Sequence, residues 1–254
     1  MSTKAATAAT AETARSGPLP ALASFQVPST PPFVYYIPDV ISPDLESLLT
    51  DQVYAASSKW VTLSNRRLQH WGGTPSALMV REDLPSFLTD HIGSKLEQLG
   101  IFRLSELPPV LNHVLVNEYH PGQGIMPHTD GPFYHDTVAT VSLGEAVVLD
   151  LYREVDDVNQ VEESDDKEKR KKKVRERVFS IVLEPRSLFV MTTDAYSYHL
   201  HGIDDTVTHD LSSKGLQSSQ YPDGILQRTN TRISLTFRSV KKSIAKSIFP
   251  GLKR

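Results

Sequence analysis

Residues 111–119, Leu-Asn-His-Val-Leu-Val-Asn-Glu-Tyr, and residues 231–240, Thr-Arg-Ile-Ser-Leu-Thr-Phe-Arg-Ser-Val, alternate with a period of two. In the second stretch Ile233, Leu235 and Phe237 share one face, and Arg232, Ser234, Thr236 and Arg238 share the other. That periodicity reads as strand, because successive side chains of an extended chain point to opposite sides. Between the two stretches the pattern recurs over Thr137–Leu143, Ala146–Tyr152, Val178–Leu183 and Ser187–Thr192. Pro121-Gly122, Gly144-Glu145 and Glu184-Pro185-Arg186 supply turn signals.

Upstream, the period changes. Ser42-Pro43 opens a helix, with Ser42 as N-cap and Leu45, Leu48, Leu49 and Val53 on one face. A second helix spans about Pro85 to Leu99, with Gly100 as its stop. A short strand at Phe33–Ile37 precedes both. Two helices followed by many strands predict an α+β fold, with N-terminal helices packed on a β-sandwich or barrel. The Ala-, Thr- and Pro-rich residues 1–30 read as a disordered tail before a single domain at 31–254. Within that domain 154–177 reads as a charged, disordered insert, acidic to Asp166 and mostly basic from Lys167. The basic run Lys169–Lys173 also suits nuclear import or a nucleic-acid patch.

The 254 residues include no cysteine and carry a formal net charge of −3. Disulfide frameworks, zinc–thiolate sites and cysteine nucleophiles are excluded, so any metal must sit on nitrogen and oxygen. No stretch approaches the roughly 20 apolar residues of a membrane span, and no secretory signal is visible, so an intracellular protein without a membrane partner is expected.

His128-Thr129-Asp130 places an imidazole and a carboxylate on one side of an extended segment. With a distant histidine the pair makes the facial triad of non-haem iron(II) oxygenases, with positions left open for an oxo-acid and O2. As a turn, Asp130-Gly131 explains the same residues without a metal. His135, His199, His201 and His209 are candidates for the third ligand. Gly202, which spares the metal a neighbouring side chain, favours His201. Asn117 and Tyr119 share a strand face, and an amide beside a phenol suits a carboxylate or keto oxygen. Arg232 and Arg238 lie about 20 Å apart along their strand, and their arms could hold the two ends of a five-carbon diacid.

Together, Asn117-x-Tyr119, His128-x-Asp130, His201-Gly202-Ile203 and Arg232-x5-Arg238 resemble the AlkB family in order and spacing, over about Phe33 to Val240. Asn112–Asn117, Gly124–His128 and Gly131-Pro132 look most like its sixth-homologue branch and that branch's fungal or plant relatives. The resemblance implies a double-stranded β-helix (jelly roll). It implies that His128, Asp130 and His201 bind Fe(2+), and that Asn117, Tyr119, Arg232, Ser234 and Arg238 bind 2-oxoglutarate as co-substrate beside O2. The activity would be oxidative demethylation of alkylated bases in single-stranded DNA or RNA. A protein-side-chain hydroxylase or demethylase, or a nucleic-acid-binding regulator with weak catalysis, stays open beside it. Residues 65–73 would form a substrate lid, with Arg66, Arg67 and Trp71 on the substrate; a hairpin with Trp71 partly buried is the equal alternative. A monomer of cytoplasm and nucleus is expected.

Overall fold

A computed structural model describes residues 20–28, 31–102, 110–161, 171–216 and 220–245. Chain order is β1 (Val34–Ile37), α1 (Pro43–Ala55), β2 (Val61–Thr62), β3 (Arg67–Trp71), β4 (Met79–Arg81), α2 (Ser86–Leu88), α3 (Ser94–Gln98), β5 (His113–Tyr119), β6 (Ile125–His128), β7 (Tyr134–Leu143) and β8 (Val147–Val161). It continues with β9 (Lys171–Leu183), β10 (Leu188–Thr192), α4 (Thr193–Tyr198), β11 (Leu200–Ile203), β12 (Thr208–Asp210), β13 (Ile225–Gln227), β14 (Arg232–Val240) and β15 (Ser243–Ala245).

The larger sheet runs β1-β10-β7-β14-β5-β3-β2 and the smaller β6-β11-β8-β9. From β5 to β14 the chain passes repeatedly between the two, which is the wiring of a double-stranded β-helix. The two faces of β14 explain the layers. Ile233, Leu235 and Phe237 join Leu49, Val53, Leu88, Ile92 and Leu96 in a core between the large sheet and the helices. The other face looks between the sheets, where Leu149, Leu151, Ile181, Leu183, Phe189 and Met191 form a second core. The alternation places apolar groups against helices and polar groups in the barrel.

The helices start and stop as their caps dictate. The Ser42 side chain accepts from the Leu45 amide at 3.2 Å, with Pro43 following. The second helical run is α2 and α3 joined by a π turn at Thr89–Gly93, and Gly100 ends it at φ +70°.

Two expectations are corrected. The segment 154–177 is not one disordered insert: β8 and β9 continue into it as an antiparallel ribbon. Glu154 faces Arg175 and Asp156 faces Lys173, and ion pairs join Arg153 to Glu176 (2.8 Å) and Lys173 to Glu154 (3.3 Å). Opposite charges across a ladder favour pairing, which composition read along the chain does not reveal. Residues 162–170, including part of the basic run, lie outside the described residues. The expected disorder also does not extend over residues 20–28. A 3-10 turn spans Pro20–Phe25, Leu22 is fully buried in the helix-side core, and Gln26 bridges Tyr35. Residues 1–19 lie outside the described residues. No described helix is long and apolar enough to cross a membrane.

Candidate metal and co-substrate site

β6 and β11 lie side by side in the small sheet with His128 opposite His201. Asp130 follows on the loop after β6. One ligand atom from each of His128, Asp130 and His201 falls within 4.8 Å of the others. The His128 Nδ1–H donates to the Met126 carbonyl at 2.9 Å, which leaves Nε2 as the free lone pair. Burial holds the His201 imidazole down to about 4, against the opposing pull of Asp130, so it is a neutral donor at neutral pH. The buried Asp130 Oδ2 and His201 Nδ1 have no hydrogen-bond partner. Asp130 Oδ1 lies 4.0 Å from His201 Nε2, and a buried carboxylate with an unpartnered oxygen grouped with two imidazoles fits a divalent cation.

The other histidines separate cleanly. His199 is half-buried, with Nδ1 donating to the Asp194 carbonyl at 3.3 Å rather than joining the triad. His135 neighbours Lys241 and Asp136 rather than the triad. His209 is buried in β12, in the segment that follows β11, near Arg228 and Lys214. Gly202 has a different use from the one expected: a Cβ there would lie 3.0 Å from the Pro127 nitrogen, so its missing side chain admits β6 rather than clearing the metal.

A cavity of about 240 Å³ lies between the sheets. The triad stands in its wall together with Asn117, Tyr119, Arg232, Ser234 and Arg238. Register explains the grouping, since Arg232 lies opposite Tyr119, and Ser234 opposite Asn117. Arg238 donates to Asp130 Oδ1 and, at 3.4 Å, to the Tyr134 hydroxyl. Arg232 donates to Ser142 Oγ at 3.0 Å and lies over the Tyr119 ring. Burial pulls its pKa down to about 10, which still leaves it charged at neutral pH. Its hydrogen-bond partner is neutral and its Nε is orphaned, so a buried cation faces the cavity without a carboxylate bonded to it. Such an arginine suits the carboxylate of a bound diacid.

The expected lid residues part company. Arg66 lines the cavity and donates from Nε to Asn117 Oδ1 at 3.1 Å, which leaves the Asn117 amide nitrogen as a donor. Arg67 and Trp71 are corrected: both point to the helix side of the large sheet. Arg67 binds the buried Glu118 through Nε and, at 2.9 Å, through Nη2, and stacks over Trp60. Trp71 donates to Gln69 Oε1 at 3.0 Å and meets Phe87 edge-on. Residues 61–71 form the hairpin alternative, β2 with β3, whose β3 pairs with β5 in the large sheet. Sequence reasoning missed Ser142, Tyr134 and Tyr196, whose hydroxyl donates to the Gly131 carbonyl at 3.3 Å and steadies the loop bearing Asp130. No local pattern marks them, because each reaches the site from another strand or helix.

The model of the 2OG-Fe(II) oxygenase superfamily matches residues 34–238, from β1 to the second arginine of β14. The chain belongs to that superfamily. It is an iron(II)-, 2-oxoglutarate- and O2-dependent dioxygenase of AlkB type. Among its superfamily relatives is one named "Probable RNA/DNA demethylase ALKBH6" from Danio rerio, 40% identical over 91% of this chain and 96% of that protein. Another is the uncharacterized protein L905 of Acanthamoeba polyphaga mimivirus, 27% identical over 83% of this chain and 86% of that one. The solved structure of OsALKBH1 aligns with a TM-score of 0.48 at 15% identity, over 83% of this chain and 99% of that one.

Proposed function

We propose that the protein removes N-methyl groups from alkylated bases of single-stranded nucleic acid. His128, Asp130 and His201 hold the iron, and Asn117, Tyr119, Arg232, Ser234 and Arg238 hold 2-oxoglutarate. The observation that carries the co-substrate assignment is the pairing of a buried, carboxylate-free Arg232 with an orphaned His-Asp-His cluster in one cavity. When bound, iron and 2-oxoglutarate supply O2-dependent hydroxylation of a methyl group, with succinate, CO2 and formaldehyde as products.

The chain's own residues do the rest. Arg232 would take the distal carboxylate, and Tyr119 packs beneath its guanidinium. Asn117, oriented by Arg66, donates its amide to the co-substrate. Arg238 holds the Asp130 carboxylate in one rotamer through Oδ1, beside His201. Leu115, Ile125 and Ile203 give the cavity an apolar side that excludes water.

Nucleic acid as the substrate is supported by the 40% identity with a relative named for RNA and DNA, and by Arg66 at the cavity wall. A target base must leave its stack to enter, so single strands are preferred over duplexes. A monomer of cytoplasm and nucleus belongs to the same reading. The test is mass spectrometry of nucleosides and peptides after incubation with iron, ascorbate and 2-oxoglutarate. Methyl loss with formaldehyde release from single-stranded oligonucleotides is expected; methyl loss or hydroxylation confined to peptides would contradict it.

A further inference from the structure

β6 is four residues long, lies at the edge of the small sheet, and is paired to β11 at only two registered positions, His128–His201 and Ile125–Ile203, with an irregularity between them. Few ladder bonds therefore set the separation of the two histidines, whose ring centroids lie 4.5 Å apart. The backbones are close: a Cβ on Gly124 would lie 2.3 Å from the Ile203 carbonyl oxygen. Something beyond the ladder must hold this pair in place.

Arg228, just after β13, is buried at 2% exposure and is not among the residues that line the cavity. Its Nη1 donates to the carbonyls of Gln123 (2.9 Å), Thr206 (3.0 Å) and Asp204 (3.4 Å), and its Nη2 to the carbonyl of His120 (3.2 Å). These carbonyls come from two loops. Residues 120–124 feed β6 and His128; residues 204–206 leave β11 and His201. The segment that carries Arg228 is itself anchored. Leu211 and Leu226 pack on Ala146 and Val148, and Lys214 donates to the buried Asp150, which lies opposite Gly202, and to Asp204. Charge-assisted hydrogen bonds are the strong kind, and a buried guanidinium whose two terminal nitrogens are engaged with four carbonyls, Nε alone lacking a partner, resists displacement.

We propose that Arg228 is a positioning residue that sets the spacing of His128 and His201, by tying the loop entering β6 to the loop leaving β11. This rests on the metal assignment above. The test uses the full chain and Mn(II) as probe, with binding followed by calorimetry and by the paramagnetic resonance of free Mn(II). Thermal unfolding is recorded for every variant. Arg228→Gln should weaken Mn(II) binding about 10- to 100-fold, the effect of removing a group that orients metal ligands. Arg228→Lys, which keeps the charge but reaches fewer carbonyls, should recover part of that loss; it carries the test if Arg228→Gln does not fold. Leu226→Ala, which loosens the same segment without touching the carbonyls, should keep wild-type affinity. Wild-type affinity in the Arg228 variants would overturn the proposal, as would an equal loss in Leu226→Ala at a matched fall in melting temperature. His201→Ala separates the two readings. If it loses Mn(II) while the Arg228 variants do not, only the positioning role fails; if it keeps Mn(II), the metal assignment fails first.

Discussion

Arg66 and Arg67 are adjacent in the chain and work on opposite sides of the large sheet. Arg66 faces the cavity and touches Asn117; Arg67 faces the helices, where it neutralises the buried Glu118 beside Tyr54 and Trp60. The split continues along β3. His70 turns inward to His113 at 3.2 Å, while Gln69 turns outward to the Val53 carbonyl at 2.9 Å and supports Trp71. A basic pair beside an aromatic looks like one surface when read as composition. Strand parity divides it into one cavity residue and one structural scaffold.

The division predicts effects of different kinds. The largest is on stability: Arg67→Ala should cost about 3 kcal/mol, because it leaves the Glu118 carboxylate buried without its ion pair. Mn(II) and 2-oxoglutarate binding should not change, and calorimetry beside urea unfolding checks both. Burial works to raise the Glu118 pKa, but the hydrogen bonds from Arg67 and Tyr54 and the arginine charge prevail and hold it below the usual range. Its stabilisation is therefore present above the unfolded glutamate pKa of about 4.3 and lost as pH falls through the lower folded value. The gap between wild type and Arg67→Ala should shrink in urea titrations taken below that range.

On the cavity side, Arg232→Ala should raise the 2-oxoglutarate requirement on the order of 100-fold, within the 2–5 kcal/mol of a truncated buried charge pair. Arg232→Lys should recover only part of it, since the planar fork is lost. Unchanged affinity by calorimetry would remove Arg232 from the co-substrate site. Trp71→Ala should cost about 2 kcal/mol of stability, below the range for a fully buried ring. It should leave oligonucleotide affinity unchanged. A loss of about 1–3 kcal/mol in binding would instead show the ring stacking on a base and break the division. The smallest effect belongs to Arg66→Ala: stability within about 1 kcal/mol of wild type, and a salt dependence of single-strand binding flatter by about 0.7, the value of one phosphate contact.

Parity also decides what was legible beforehand. The alternation of 232–238 places Arg232, Ser234, Thr236 and Arg238 on one face without any structure, and all four line the cavity. His128-x-Asp130 is legible as a local motif, and Gly202 points to His201, although the space it makes serves β6. The helix-side fate of Arg67 and Trp71 was hidden because composition alone does not say which residues of β3 face inward. The charged ribbon was hidden for a related reason, since its acidic and basic blocks look incompatible with order until each is seen as the other's ladder partner. Ser142, Tyr134 and Arg228 belong to neither kind of pattern. Their roles come from tertiary neighbours reached through sheet pairing.

The central claim is that His128, Asp130 and His201 hold the iron and that His199, two residues from His201, does not. Metal content and 2-oxoglutarate-dependent succinate formation, measured in His201→Ala and His199→Ala, test it most directly. The account predicts that His201→Ala loses bound iron and turnover, while His199→Ala, whose imidazole is bonded to the Asp194 carbonyl, keeps both. Retention of iron in His201→Ala together with its loss in His199→Ala would contradict it.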